Sequence, residues 1–130
     1  MPASIPLRIL HLSDTHLFGD DSLHYGRVDT LAALARALEQ FSGVGRIDLV
    51  VASGDLSDDG SPRSYQRLRS ALEPWAAVHG ARVIYAMGNH DDRENFRQTL
   101  GSGHGQDVAS SPYGPVDAVS TIGPWRIVTI

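Results

Sequence analysis

Three short apolar runs each break off into a cluster of Gly, Asp, Asn or His, and that repetition leaves few folds open to the chain. Residues 7–13 lead into Ser13-Asp14-Thr15-His16, residues 47–53 into Ser53-Gly54-Asp55, and residues 82–86 into Met87-Gly88-Asn89-His90-Asp91-Asp92. Runs this short, rich in Val, Ile and Leu, read as buried strands. The segments between them change period. Val28, Leu31, Leu34, Ala35, Leu38 and Phe41 recur at helical spacing and predict a helix over 28–41, which Gly43 and Gly45 end. Ser61-Pro62 starts a second helix, with Ser as N-cap and Pro in the first turn, and Tyr65, Leu68, Leu72 and Trp75 supply its apolar stripe. Pro74 is expected to kink this helix, or to end it and restart a turn through Val78. Residues 93–100 form a short third helix, with Phe96 and Leu100 one turn apart and Gly101 at the C-cap.

This β-α-β-α-β-α order predicts an α/β fold with a parallel sheet and right-handed crossovers. The central run, 47–53, is apolar enough to be covered on both faces. All three polar clusters then fall at the carboxyl ends of strands, where open α/β sheets place their ligand crevices. Residues 101–115, rich in Gly, Ser and Pro, read as a long loop. Residues 117–122 and 125–130 read as a hairpin across Gly123-Pro124. The chain stops inside the second of these runs, so the expectation is a single domain over 1–130 that is the front part of something longer.

A chain of 130 residues, 42% of them apolar, can bury a core of its own. The net charge of −4, with no run of Lys or Arg, argues against non-specific binding to nucleic acid or anionic membranes. No cysteine is present, which removes disulfides, thiolate catalysis and Cys-type zinc sites, so any metal here must take O and N ligands. No stretch has the length of a membrane span, and residues 1–6 lack the apolar core of a signal peptide; a soluble cytoplasmic protein is expected.

Asp14 and His16 flank Thr15 just past a strand. If that segment stays extended, both side chains point to one side and could grip one ion. The Asp55 carboxylate, after Gly54, has two oxygens and could bridge two cations. Asn89 offers a neutral amide oxygen suited to a hard or borderline cation. His90 and Asp91 could form a polarised pair useful as a general acid or electrostatic clamp. Each has a plainer reading alone: an Asp turn with a solvated His at 14–16, Gly-Asp turn chemistry at 54–55, and a left-handed turn Asn at 89. For Asp91, the plainer role is N-cap of the third helix, with Glu94 completing a capping box. Of the other histidines, His11 inside a strand is expected to be a core residue. His79 near a helix end and His24 and His104 in loops are expected to be solvated, with His24 alone in a place to line a pocket.

The joint pattern is more specific than its parts. Leu12-Ser13-Asp14-Thr15-His16-Leu17, Ser53-Gly54-Asp55-Leu56-Ser57-Asp58-Asp59-Gly60, Tyr65-Gln66-Arg67-Leu68-Arg69 and Met87-Gly88-Asn89-His90-Asp91-Asp92-Arg93 occur in this order. Together they resemble the calcineurin-like metallophosphoesterase superfamily, and within it the bacterial class III cyclic-nucleotide phosphodiesterases of the actinobacterial type. The resemblance runs over 7–101 and resumes at Val116. It implies the front half of a four-layer α/β/β/α sandwich. It also implies two divalent or mixed-valence ions (Mn, Fe, Zn or Co) roughly 3.5–4 Å apart, with a bridging hydroxide attacking phosphorus in line. Asp14, His16 and Asp55 would hold one ion, Asp55 would bridge, and Asn89 would begin the second site. His90 would sit beside the attacking or leaving oxygen, oriented by Asp91. The implied substrate is a small phosphodiester such as a 3',5'-cyclic nucleotide.

The chain departs from that pattern at its end. The superfamily continues with a lone His and then Gly-His-x-His, and neither occurs here; Gly103-His104-Gly105 lies in a loop without the following His. The second ion would keep only Asp55 and Asn89, too few for a catalytic site. Two readings of different classes follow. One is the amino-terminal portion of a dimetal phosphodiesterase. The other is a non-catalytic remnant that binds one metal weakly or associates, as a homodimer or with a partner, through an open sheet edge. A third keeps the enzyme but changes the substrate to a phosphomonoester, a glycerophosphodiester or nucleic acid, the last disfavoured by the absence of basic stripes.

Overall fold

The computed structural model describes residues 5–104 and 114–130, and its elements alternate as expected. They are β1 (Ile9–Ser13), α1 (Thr30–Gln40), β2 (Leu49–Ser53), α2 (Pro62–Val78), β3 (Arg82–Tyr85), α3 (Arg93–Leu100), β4 (Ala118–Ile122) and β5 (Trp125–Thr129). The first three strands form a parallel sheet in the order β1-β2-β3, with Leu10 opposite Val50 and Val50 opposite Val83. The last two form a separate antiparallel hairpin, Val119 opposite Val128. This is an α/β architecture and part of the sandwich that the resemblance implies. Among the described residues, no helix is long and apolar enough to cross a membrane.

Strands taken in sequential order, joined by crossovers of one hand, put their helices on one face of the sheet. Leu10, Leu12, Val50, Ala52, Val83 and Tyr85 turn to that face and meet Leu34, Leu38, Leu68, Leu72, Phe96 and Leu100 from the helices. The opposite face is covered unevenly. Leu49 and Ile84 are fully buried, whereas Ile9 is 48% exposed and Val51 and Ser53 are half-buried. The expectation that β2 is covered on both faces is therefore corrected: its second face opens towards β1. His11, expected in the core, lies on that open face, exposed, with Nε2 2.6 Å from Ser53 Oγ.

Two histidines expected in solvent are buried. His79, the C-cap of α2, stacks on Trp75 with ring centres 3.9 Å apart and places Nδ1 2.8 Å from Trp75 O and Nε2 3.1 Å from Ser42 O. His104 sits between β3 and the hairpin. Its ring reaches Ser120 Oγ at 2.5 Å and Thr129 Oγ1 at 2.9 Å, and its carbonyl accepts from Arg82. The part of the predicted 101–115 loop that spans 105–113 lies outside the described residues.

Helix ends follow local chemistry. Asp29 caps α1 by accepting from Ala32 N–H, two residues later than the apolar spacing suggests, because Val28 is paired with His24 in an isolated bridge. Ser61 caps α2 as expected. Pro74 neither ends nor restarts α2, which runs unbroken to Val78. Proline removes the donor to the Ser70 carbonyl, and both residues lie on the exposed side of the helix, where water can take that carbonyl. The cap of α3 is Asp92, accepting from Asn95 N–H at 2.9 Å, so the capping box built on Asp91 and Glu94 does not form.

Two expectations follow from the packing. Phe96 is fully buried and meets Tyr65 edge-on, ring centres 5.8 Å apart; Phe96→Ala should lower unfolding stability by about 3–5 kcal/mol in urea titrations. Asp59 stitches the loop before α2: Oδ2 accepts from Gly19 N–H, and Oδ1 from Ser61 N–H, Ser61 Oγ and Ser57 Oγ. Partial burial works to raise its pKa, but these bonds outweigh it and hold the group below 3.8. A depressed carboxyl contributes stability above its unfolded value and loses it as pH falls through the depressed one. The gap in urea midpoint between wild type and Asp59→Asn should be open at neutral pH and close below pH 3.8.

Candidate metal centre

Because β2 is central, the loops that follow β1, β2 and β3 leave the sheet side by side. The first two stay zipped beyond the strands. Asp14 N–H donates to Ser53 O, His16 N–H to Asp55 O, Leu17 N–H to Leu56 O and Asp58 N–H to Leu17 O, all within 3.0 Å. Thr15 Oγ1 adds a bond to Leu56 O, and Thr30 Oγ1 at the start of α1 holds His16 O. Within this ladder the chain is not extended. Asp14 and His16 both have positive φ, 55° and 46°, in the left-handed region that residues with a side chain seldom occupy. The two side chains thus reach a common place through two backbone kinks, and not through the alternation of an extended segment. Strain of order 1–3 kcal/mol per residue is tolerated only where surrounding bonds over-determine it.

Among the described residues, the ligand atoms of Asp14, His16 and Asp55 lie within 4.8 Å of one another. His16 Nε2 is 3.7 Å from Asp55 Oδ2, while His16 Nδ1 is 3.0 Å from Asp58 Oδ1. A carboxylate only accepts, so Asp58 fixes the proton on Nδ1 and leaves the Nε2 lone pair directed at the Asp14–Asp55 side. The other Asp55 oxygen, Oδ1, accepts from His90 N–H at 2.9 Å. Two carboxylates and one imidazole lone pair, with no Arg bonded to them among the described residues, are a donor set that fits a divalent ion. Two glycines make the approach possible. Gly54, at φ 78°, lies where a Cβ would meet the Asp14 carboxylate at 3.0 Å, and a Cβ on Gly88 would sit 2.3 Å from Asp55 Oδ1.

The remaining predicted residues fall around this group. Asn89 is exposed on the third loop, one residue before the N–H that binds Asp55. The exposed His90 ring lies edge-on to His16, centres 5.4 Å apart, and belongs with His16 and Asp58 to a second cluster within 4.8 Å. Asp91 turns the other way. Its Oδ1 accepts from Ser57 N–H and Tyr65 OH, and its Oδ2 from Leu56 N–H and Gly88 N–H, at 2.7–3.1 Å. Both oxygens are committed to the loops, so the carboxylate is held there and not on the His90 ring. Tyr65 OH also accepts from Asp92 N–H; burial first, then the Asp91 charge, push its phenol well above the ordinary value.

Asp58, Tyr65 and Gly88 all stand inside the quoted motifs, but the sequence assigns none of them a role at the site. Their signal was position only: Asp58 three residues beyond Asp55, Tyr65 on an apolar stripe where a phenol looks like core. His24 does join the site. Its ring stacks on His16 at 4.7 Å, and its Nε2 is 3.5 Å from Asp58 Oδ1.

Comparison with known proteins identifies the family. The chain is 44% identical over 123 residues to a cAMP/cGMP dual specificity phosphodiesterase of Mycobacterium tuberculosis, covering 94% of this chain and 37% of that protein. It is 40% identical over 126 residues to a probable cyclic nucleotide phosphodiesterase of Rhodococcus erythropolis, covering 94% and 38%. It is 33% identical over 123 residues to a 3',5'-cyclic adenosine monophosphate phosphodiesterase of Pseudomonas aeruginosa, covering 94% and 40%. The chain thus spans about two fifths of the length of these relatives. The calcineurin-like phosphoesterase pattern matches residues 7–127, a stretch that contains all three strand-tip loops and every side chain placed around Asp55. The chain belongs to the calcineurin-like phosphoesterase family.

Proposed function

We propose that this chain carries the amino-terminal share of a dimetal phosphodiesterase site, and that the substrate is a small phosphodiester, foremost a 3',5'-cyclic nucleotide. The observation that carries the reading is the convergence of Asp14, His16 and Asp55 within 4.8 Å, with His16 locked by Asp58. The names of the relatives support the substrate class. Ions held there would supply Lewis acidity and positive charge for the phosphoryl oxygens in an otherwise acidic chain.

The chain's own residues divide the remaining work. Asp14, His16 and Asp55 would hold the first ion; Asp55, with its second oxygen steadied by His90 N–H, would also serve the second, and Asn89 would be a further donor to it. The His90 ring, exposed beside His16 and Asp58, is in place to donate a proton to an oxygen on phosphorus as the bond to the leaving group breaks. Asp91 acts at one remove: by tying Leu56, Ser57 and Gly88 together, it sets the separation of the loops that carry Asp55 and Asn89. A second reading, association through the sheet face left open beside β1, is favoured by the exposure of Ile9 and His11.

Metal counting by mass spectrometry on the purified chain, after equilibration with Mn, tests the first reading. Wild type should retain about one ion per chain, and Asp55→Ala should retain none while its circular dichroism is unchanged. An Asp55→Ala chain that holds the ion as wild type does would overturn the assignment. Asp58→Asn removes the charge that fixes His16 without touching a proposed ligand. It should weaken Mn binding about 10–100-fold in calorimetry, the range found for partners of metal-bound histidines.

A further inference from the structure

The segment between β1 and α1 holds a feature that hydrolysis does not use. Residues 24–28 close on themselves: His24 N–H donates to Val28 O, and Arg27 and Val28 N–H both donate to His24 O, at 2.9–3.1 Å. At the tip, Tyr25 and Gly26 have φ of 52° and 66°. Two consecutive left-handed residues make the kind of turn for which Asn-Gly is the favoured pair, and a Tyr in the first position carries a steric cost of about 1–2 kcal/mol. Packing does not offset that cost, since Tyr25 is 88% exposed.

The ring's position is defined nonetheless. It lies 4.3 Å from the His24 ring, centre to centre, tilted by 40°. His24 in turn stacks on His16, one of the proposed ligands, at 4.7 Å and 19°. The root of the loop is anchored: Arg67 on α2 donates to the carbonyls of Phe18 and Asp20 and to the Asp21 carboxylate. Leu23 and Val28, each more than two fifths exposed, flank the turn with apolar surface. An aromatic face is thus held in water, on a strained backbone, two ring spacings from the His16 ring.

We propose that Tyr25, seated on His24, is a stacking ledge for the base of the nucleotide whose phosphate the metal centre takes. The proposal rests on the phosphodiesterase reading and goes further, because it gives the chain a preference for nucleotides over diesters without a ring. Base and phosphate are separated by one ribose, a span compatible with two ring spacings. Stacking on an aromatic face tolerates any base, so the ledge would favour nucleotides as a class without choosing between adenine and guanine.

The test is calorimetric binding of adenosine 5'-monophosphate and of ribose 5-phosphate to the Mn-equilibrated chain, compared as a ratio. Wild type should prefer the monophosphate with a base by about tenfold, within the range that one stacked base contributes. Tyr25→Asn, which removes the ring but suits a left-handed turn, should bring the ratio close to unity. Tyr25→Phe should keep it. A wild-type ratio near unity, whether both compounds bind or neither does, overturns the ledge; so does an undiminished ratio in Tyr25→Asn. Failure of the phosphodiesterase reading shows separately, as ribose 5-phosphate binding that is unchanged when EDTA removes the ion.

Discussion

The Asp91 carboxylate is the joint on which the site depends. It accepts four hydrogen bonds from three parts of the chain: the loop after β2, the loop after β3, and Tyr65 on α2. Bonds to an ionised acceptor are the stronger kind, and in a half-buried position each missing donor would leave a desolvated charge. The arrangement therefore holds the two loops at one separation. Gly88 lets them come that close, since any side chain there would strike Asp55, and the Asp92 cap starts α3 immediately afterwards. Position within the chain does the rest. Neighbouring residues in one short segment serve three ends: His90 faces the site, Asp91 the loops, and Asp92 the helix.

A different device supports the first loop. Its ladder of backbone bonds to the loop after β2 continues the parallel sheet past its formal end, and this continuation holds Asp14 and His16 in conformations they would not choose alone. Strain and ladder belong together, because kinked residues without cross-bonds would relax and carry their side chains away from Asp55.

Much of the architecture was legible because it depends on periodicity. The three strands, the three helices and the hairpin all appear in the apolar spacing, and the polar tips follow from where the strands stop. What was not legible depends on partners distant in sequence. His79 and His104 look like surface residues until the C-terminal ends of α1 and α2, or the hairpin, are brought against them. His11 looks like core until one knows that all the helices pack on the other face. Pro74 reads as a kink or break because it removes a donor, but the carbonyl it deprives lies on the exposed side of α2, which only the packed structure reveals. At 91, local rules read Asp as the helix cap; its bonds to the two loops and to a phenol 26 residues upstream take the carboxylate away, and Asp92 caps α3 instead. The extended geometry inferred for 14–16 failed for a related reason: Asp and His tolerate the left-handed region better than most residues, but only the cross-bonds to the neighbouring loop require it of them.

The zipped loops bear on how an ion would be acquired. In small zinc domains the ligands gather only when metal arrives, and binding is inseparable from folding. Here the convergence of Asp14, His16 and Asp55 is secured by amide bonds and by Asp58, bonds in which no cation takes part. The cost of ordering the donors is thus offset by the chain's own contacts. Exchange of one ion for another would then not require the protein to unfold. The identity of the occupant would become a matter of which metals the surroundings supply and how they rank for carboxylate and imidazole.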